Sequence, residues 1–552
     1  MKKSRQQSRP NVKTNLLKRA DRTQSLHLDE YLRFLLPDFD ENKPPIWPPD
    51  AFALCMAPLW KSAAYTSVLN HWPPGKIASS QWTEMVTRAA ENWRNGWVKK
   101  QLPDEVILRW QAAFKDTSYP LSQLSEKRAS CELMLELAAI ADEASAGLGI
   151  PSEGDEESIE EFQFAIEGDQ RLRVTAPRGS TLCNLIDPSR ARVLPKMHCP
   201  QSGLTIRSLS HHLALVLGDE IKPIWNQWSA LDVGSHLNLL VVPRPSVVDP
   251  VQFRQEAPIR GEMSNIDTDY FGFFSFDHLD SCKPTIAEIM RLVRAAKQAS
   301  GGIHGVVLPE LALSESDYEL LRDKLERQNI FLIAGVATRG SATRHAKNEV
   351  RVSFPLYKTA IQHKHHRWKL EEHQITQYSL GGRLDAEKQW WEHISVDDRT
   401  LNFFSLLPWL VLTPLICEDL ARPDPVGDLV RAVGPNLVIA LLMDGPQLKD
   451  RWSARYATTL ADDPGCSVLT ITSVGMSKLS RPHGVAVPRD PVIALWKDAK
   501  SGGPVEIALP DGYDGVLLSL SRRYAEEWSA DGRSDDVNSG YPSLTGILPV
   551  KI

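Results

Sequence analysis

Hydrophobic positions change rhythm near residue 235. Before it, Trp82, Met85, Ala89, Trp93 and Trp97 recur at helical spacing, with further apolar stripes over Val106 to Phe114 and Cys131 to Ile140. A 3.6-residue period marks the core-facing side of an amphipathic helix, so the Trp stripe reads as core rather than as a ligand-binding face. Gly147 to Glu161 breaks the period with Pro, Ser, Gly and the acids Glu153, Asp155, Glu156, Glu157, Glu160 and Glu161, and reads as a solvated linker. Residues 162 to 234 are mixed, and His211-His212 there carries no functional signal.

From Leu237 onward, short β-rich runs alternate with amphipathic helices, the pattern of α/β layers. Pro284 suits a first helical position, with Ile286, Ile289, Met290 and Val293 on one face and a stop at Gly301-Gly302. A strand over Ile303 to Leu308 then delivers Pro309-Glu310 at its C-terminal end, where α/β proteins commonly place their chemistry. Ser314 with Asp317 reads as a cap for the helix carrying Tyr318, Leu321 and Leu325, and Ile330 to Ala334 as the next strand. A later strand, Trp409 to Ile416, ends at Cys417, and Pro425 to Val433 resumes as a helix. The expected organisation is a basic tail (1–20), a helical domain (21–145), an acidic linker (146–161), a mixed connecting region (162–234) and an α/β domain (235–552).

At 552 residues and 42% hydrophobic content, the chain can form two or three domains without metal or disulfide support. Its net charge of −6, with both signs interspersed, does not offer the phosphate-neutralising surface of a nucleic-acid binder. Lys2, Lys3, Arg5, Arg9, Lys13, Lys18 and Arg19 make the N-terminus basic, without the apolar stretch of a signal peptide. The longest apolar runs, Leu237 to Val242 and Leu437 to Met443, are too short for a bilayer, so no membrane span is expected. Seven scattered cysteines without CxxC spacing suit free thiols in a reducing cytoplasm and argue against a structural zinc site. Gly75-Lys76 precedes Ile77 and lacks the upstream glycine of a phosphate loop. No cofactor is expected.

Three residues on separate apolar segments carry chemistry: Glu310 in VVLPELALS, Lys364 in IQHKHHRWKLEE and Cys417 in LVLTPLICEDL. Hydrolysis of an amide or nitrile without metal needs a nucleophile, a proton carrier and a positive group for the developing oxyanion. Cys417, Glu310 and Lys364 offer these, and the backbone amide of Glu418 adds a second oxyanion donor. A neighbouring ammonium or carboxylate base is what makes a cysteine reactive. His363, His365 and His366 surround Lys364, but adjacent residues on an extended segment face opposite ways, so a shared metal is not expected. His365 is read as support or packing.

These motifs, in this order, resemble those of the nitrilase superfamily of carbon–nitrogen hydrolases. The resemblance implies Glu310 as general base, Lys364 as oxyanion-binding cation, Cys417 as nucleophile, and Glu372 as a second, positioning glutamate with Glu371 as its competitor. The ICED phrase around Cys417 and the PELALS stretch look most like amidases and the glutaminase portion of glutamine-dependent NAD synthetase, favouring amides over nitriles. No synthetase portion is expected to follow. Downstream, Arg455 stands at the family's arginine position, while Asp463 and Ser473 replace a usual Glu and Asn. Pro243-Arg244-Pro245 and the inserted stretch Gly381 to Arg399, with Trp390 and Trp391, also depart from the family pattern.

The implied fold is a four-layer α-β-β-α sandwich preceded by a mainly helical region, paired into at least a homodimer. The implied activity is hydrolysis of a small amide or nitrile through an acyl-cysteine in the cytoplasm, with transfer to another amine also conceivable. The competing expectation is a sensing or assembly module in a multi-component bacterial system, such as phage defence. Retention of all three chemical residues favours the enzyme.

Overall fold

Alternation along the strands decides the layering. In the strand Gly305–Ser314, Val306 and Leu308 join a core with the helices Ile286–Ser300 and Glu315–Glu326, while Val307 faces the opposite core, shared with a second sheet. The structure, a computed structural model, describes residues 26–69, 79–151, 159–197, 206–228, 234–258, 266–279, 284–341, 344–480, 489–525, 533 and 539–552. The basic tail, Gly75-Lys76-Ile77, the acids from Glu153 to Glu157, Cys199 and Cys282 lie outside the described residues.

Two seven-stranded sheets form the middle layers. The first runs, in spatial order, Ala360–His363, Lys347–Ser353, Phe331–Thr338, Gly305–Ser314, His236–Val241, Gly515–Ala525 and Ser539–Val550. The second runs Val505–Ala508, Val492–Lys497, Ser467–Ile471, Leu437–Leu441, Leu410–Ile416, Thr400–Leu407 and Lys222–Gln227. Their central strands are parallel: Leu239 pairs with Gly305, Val306 with Leu332, Leu412 with Leu437 and Val438 with Val468. The helix Trp452–Asp462 lies against the second sheet, completing an α-β-β-α sandwich, and the helix Asp428–Val433 packs on the strand Leu213–Leu217 of a separate two-stranded sheet.

Three sequence expectations change. The α/β domain does not start at 235, because Lys222–Gln227 pairs in parallel with Thr400–Leu407 as the edge of the second sheet. Its sequence, KPIWNQ, holds too little alternation to stand out as a strand. Pro284 is not the first helical residue: Thr285 caps Ile286–Ser300, its hydroxyl accepting from the Glu288 amide at 3.2 Å. The expected linker ends early, since a helix runs Ile159–Thr175. Other expectations hold, including Gly301 in the left-handed region (φ 77°) and the Ser314 cap, which accepts from the Asp317 amide at 3.3 Å.

The Trp stripe on the helix Ser79–Val98 is core, with Trp82 and Trp93 buried. That helical region and the sandwich share one apolar core. Asp142 ties them further, accepting from the amides of His211, His212 and Leu213 and from the Arg533 guanidinium at 3.1 Å, with both side chains buried. No helix among the described residues is long and apolar enough to cross a membrane.

Candidate active site

Glu310 sits where the strand Gly305–Ser314 loses register with its neighbour, between Leu308 and Leu313. Leu311 there takes a left-handed φ of 51°. The distorted backbone presses on Gly335 across the sheet, where an added Cβ would stand 2.4 Å from the Pro309 carbonyl oxygen and 2.5 Å from the Glu310 Cα. Only glycine admits this approach.

Lys364 follows the edge strand Ala360–His363, its amide donating to the Asn348 carbonyl at 2.9 Å. Cys417 follows the wholly buried strand Leu410–Ile416 of the other sheet and takes φ 44° at the start of a short helical turn. A left-handed non-glycine residue costs about 1–2 kcal/mol, tolerated here because the strand and turn fix it from both sides. Glu418 is next in that turn, where backbone amides have no intrahelical acceptor.

Glu310, Lys364 and Cys417 are at most 4% exposed. The Lys364 ammonium donates to Glu310 Oε1 at 2.9 Å and to Glu392 Oε2 at 2.7 Å. Asn348 bridges the same carboxylates from its side-chain amide, at 2.7 Å to Glu310 and 2.8 Å to Glu392. The Met443 amide donates to Glu310 Oε2 at 2.6 Å, and the Trp368 amide to Glu392 at 3.1 Å. Two carboxylates thus share one ammonium in a buried site.

The electrostatics follow from that imbalance. Burial, aided by Glu392 and opposed by Lys364, holds the Glu310 carboxyl above its ordinary range. For Lys364, Glu310 and Glu392 outweigh burial and hold the ammonium well above the usual lysine range. Burial and then Glu310 push the Cys417 thiol up, with Lys364 opposing. The same surroundings favour the Cys417 thiol over its thiolate.

A cavity of about 300 Å³ opens onto Cys417, walled by Trp368, Tyr378, Trp452 and Tyr456 with Lys369 and Arg455. Asp444 braces this wall, accepting from the Tyr378 hydroxyl at 3.1 Å, Arg451 at 2.7 Å and the Trp452 indole at 2.8 Å. Burial, then Asp444, pushes the Tyr378 phenol well above its ordinary range, so it remains a donor. Asp444 and Asn348 had no signal in the sequence.

Glu372, the expected positioning glutamate, is exposed on the short helix Glu372–Gln377, and Glu371 caps that helix while pairing with Lys369 at 2.5 Å. Neither joins the cluster. Glu392 does, arriving on the strand Gln389–Glu392 from the inserted stretch, 28 residues after Lys364. That strand belongs to a four-stranded sheet with Lys369–Leu370, Phe271–Phe276 and Phe253–Glu256. The signal of Glu392 was the acid closing the run QWWE.

His365 does not line the cavity at Cys417. It is buried, donating its amide to Asp419 at 3.1 Å, with its Nε2 2.7 Å from the Thr400 carbonyl. Asp419 also stands 2.8 Å from His366 Nδ1 and so fastens the segment after Lys364 to the turn after Cys417. Ser473 caps the helix Val474–Leu479, and Asp463 pairs with Arg431 at 3.4 Å. Among the described residues no three His, Cys, Asp or Glu side chains could hold a metal ion, and Cys55, Cys131, Cys183, Cys417 and Cys466 are free thiols.

No family model and no curated protein matches the chain. Solved members of the nitrilase superfamily are similar to about half of it. Nit3 of Saccharomyces cerevisiae, from branch 10 of that superfamily, is 12% identical over 52% of this chain and 90% of its own, with a TM-score of 0.33. A CN-hydrolase superfamily protein of Xanthomonas campestris, with an arsenic adduct in its active site, is 15% identical over 52% and 91%, with a TM-score of 0.31. A Nesterenkonia amidase of the same superfamily is 13% identical over 58% and 93%, with a TM-score of 0.28. At those scores the likeness carries no function across.

Proposed function

We propose that the chain hydrolyses a carbon–nitrogen bond of a small amide through an acyl-enzyme on Cys417. The observation that carries this reading is the buried pairing of Glu310 with Lys364 beside a left-handed, strand-terminal cysteine at the floor of a cavity. In the first half-reaction Glu310 takes the Cys417 proton as sulfur attacks the carbonyl carbon. Lys364 and the Glu418 amide meet the oxyanion. Collapse breaks the carbon–nitrogen bond, and Glu310 returns the proton to the departing ammonia or amine. Glu310 then takes a proton from water, which attacks the thioester and frees the acid and the thiol. Glu392 and Asn348 position Glu310 and Lys364 throughout.

The elevated Glu310 suits this double duty, since a base with a raised pKa both accepts and returns a proton near neutrality. Amides are favoured over nitriles by the wording of the motifs around Glu310 and Cys417, which resembles that of amidases and glutaminase portions. Ammonia release from a panel of short amides and matched nitriles tests the proposal. Amides turn over, nitriles turn over more slowly, and Cys417→Ala abolishes both. Turnover that survives Cys417→Ala would refute the acyl-cysteine route.

A further inference from the structure

Glu310 Oε1 takes the Lys364 ammonium and the Asn348 amide, while its other oxygen takes the Met443 backbone amide at 2.6 Å. Met443 lies two residues past the strand Leu437–Leu441, whose pairing with both neighbours ends at Leu441. Beyond the ladder, the place of that amide depends on what fixes the next residue, Asp444. Its buried carboxylate takes donors from the ends of two helices: the Tyr378 hydroxyl after Glu372–Gln377, and Arg451 and the Trp452 indole at the start of Trp452–Asp462. The Asp444 carbonyl accepts from the Thr472 hydroxyl at 2.5 Å, and a Cβ added to Gly445 would meet Ser480 Oγ and the Arg451 guanidinium. A buried polar network whose members are all paired is rigid, and this one stands one residue from the amide that meets the base.

We infer that Asp444 is a positioning residue for Glu310: clamped by Tyr378, Arg451, Trp452 and Thr472, it holds the Met443 amide on the Glu310 carboxylate and so keeps the base oriented toward Cys417. This rests on the reading of Glu310 as the base for the Cys417 thiol. The charge of Asp444 and its positioning role act on that thiol in opposite directions. Its charge disfavours the thiolate, so removing the charge alone speeds the reactions of Cys417. Releasing the clamp lets the Met443 amide leave Glu310, which misplaces the base and slows them.

Alkylation of Cys417 by iodoacetamide at neutral pH, followed by peptide mass spectrometry, separates the two and needs no turnover. Sulfur displaces iodide, and the thiol proton passes to Glu310. Asp444→Asn keeps the side chain's shape but sets an amide N–H₂ against one of its donors, whichever way it turns. It slows alkylation at least about tenfold, and Thr472→Val, which changes no charge, slows it about threefold, both with the circular dichroism of the unsubstituted chain. Glu310→Gln is the control for the base itself: alkylation as fast in that variant would remove the reading beneath the inference, and the inference with it. With Glu310→Gln slow, alkylation of Asp444→Asn as fast as in the unsubstituted chain or faster would overturn the positioning role and leave the hydrolase reading standing. Should Asp444→Asn lose its circular dichroism signal, Thr472→Val decides in the same way.

Discussion

At the scale of single residues, two buried carboxylates, Glu310 and Glu392, share the Lys364 ammonium. Glu310 must be ionised to take the thiol proton, and its pKa is raised, so activity falls while the pH is still above the ordinary carboxylate range. Lys364 stays protonated past that range and adds no limb near neutrality. A pH–rate profile of kcat/KM checks the sign: a limb at or below the ordinary glutamate value contradicts it. Glu310→Gln lowers kcat/KM by about 10²- to 10⁴-fold, the usual weight of general-base catalysis. Glu310, Lys364 and Cys417, which the fold buries near one another, each sit in a short motif that made them candidates in the sequence. Asn348 and Asp444 were not legible there, since a buried polar side chain gives no sign of its partners until strands from distant parts of the chain meet.

At the scale of elements, strand ends and one inserted strand deliver the chemistry. The second glutamate is the instructive case. Its partner relation to Lys364 is spatial, set by the parallel pairing of Gln389–Glu392 with Phe271–Phe276, and no local spacing encodes it. Glu392→Gln therefore slows turnover by at least about tenfold, whereas Glu372→Gln, on an exposed helix start, leaves kcat within about twofold. Equal losses in a side-by-side kinetic comparison would contradict the assignment. Gly335→Ala is expected to push the Pro309-Glu310 bulge outward and reduce kcat more than it reduces the thermal transition temperature, because the clash falls on the base's own backbone. Measuring both quantities separates displacement of Glu310 from simple unfolding.

At the scale of the whole molecule, the helical region and the sandwich are one packed body rather than two beads on an acidic string. The change of hydrophobic rhythm near residue 235 marks a change in element type, and it was read as a domain boundary because periodicity reports local structure and not which cores merge. Lys222–Gln227 crosses that boundary, and Asp142 pins Arg533 from the far side of the sequence. Asp142→Ala leaves three amides without their acceptor and the Arg533 guanidinium to Glu143 and the Ala139 and Leu209 carbonyls, a loss of about 1–3 kcal/mol that denaturant titration would register as a lower midpoint. An unchanged midpoint would mean the tie contributes little. The central claim remains that Cys417 becomes acylated under the control of Glu310. Intact-mass and peptide mass spectrometry after brief exposure to a short amide tests it directly: the account predicts an acyl adduct confined to the Cys417 peptide and absent in Glu310→Gln, and an adduct on any other cysteine, or none with a substrate that turns over under single-turnover trapping, would contradict it.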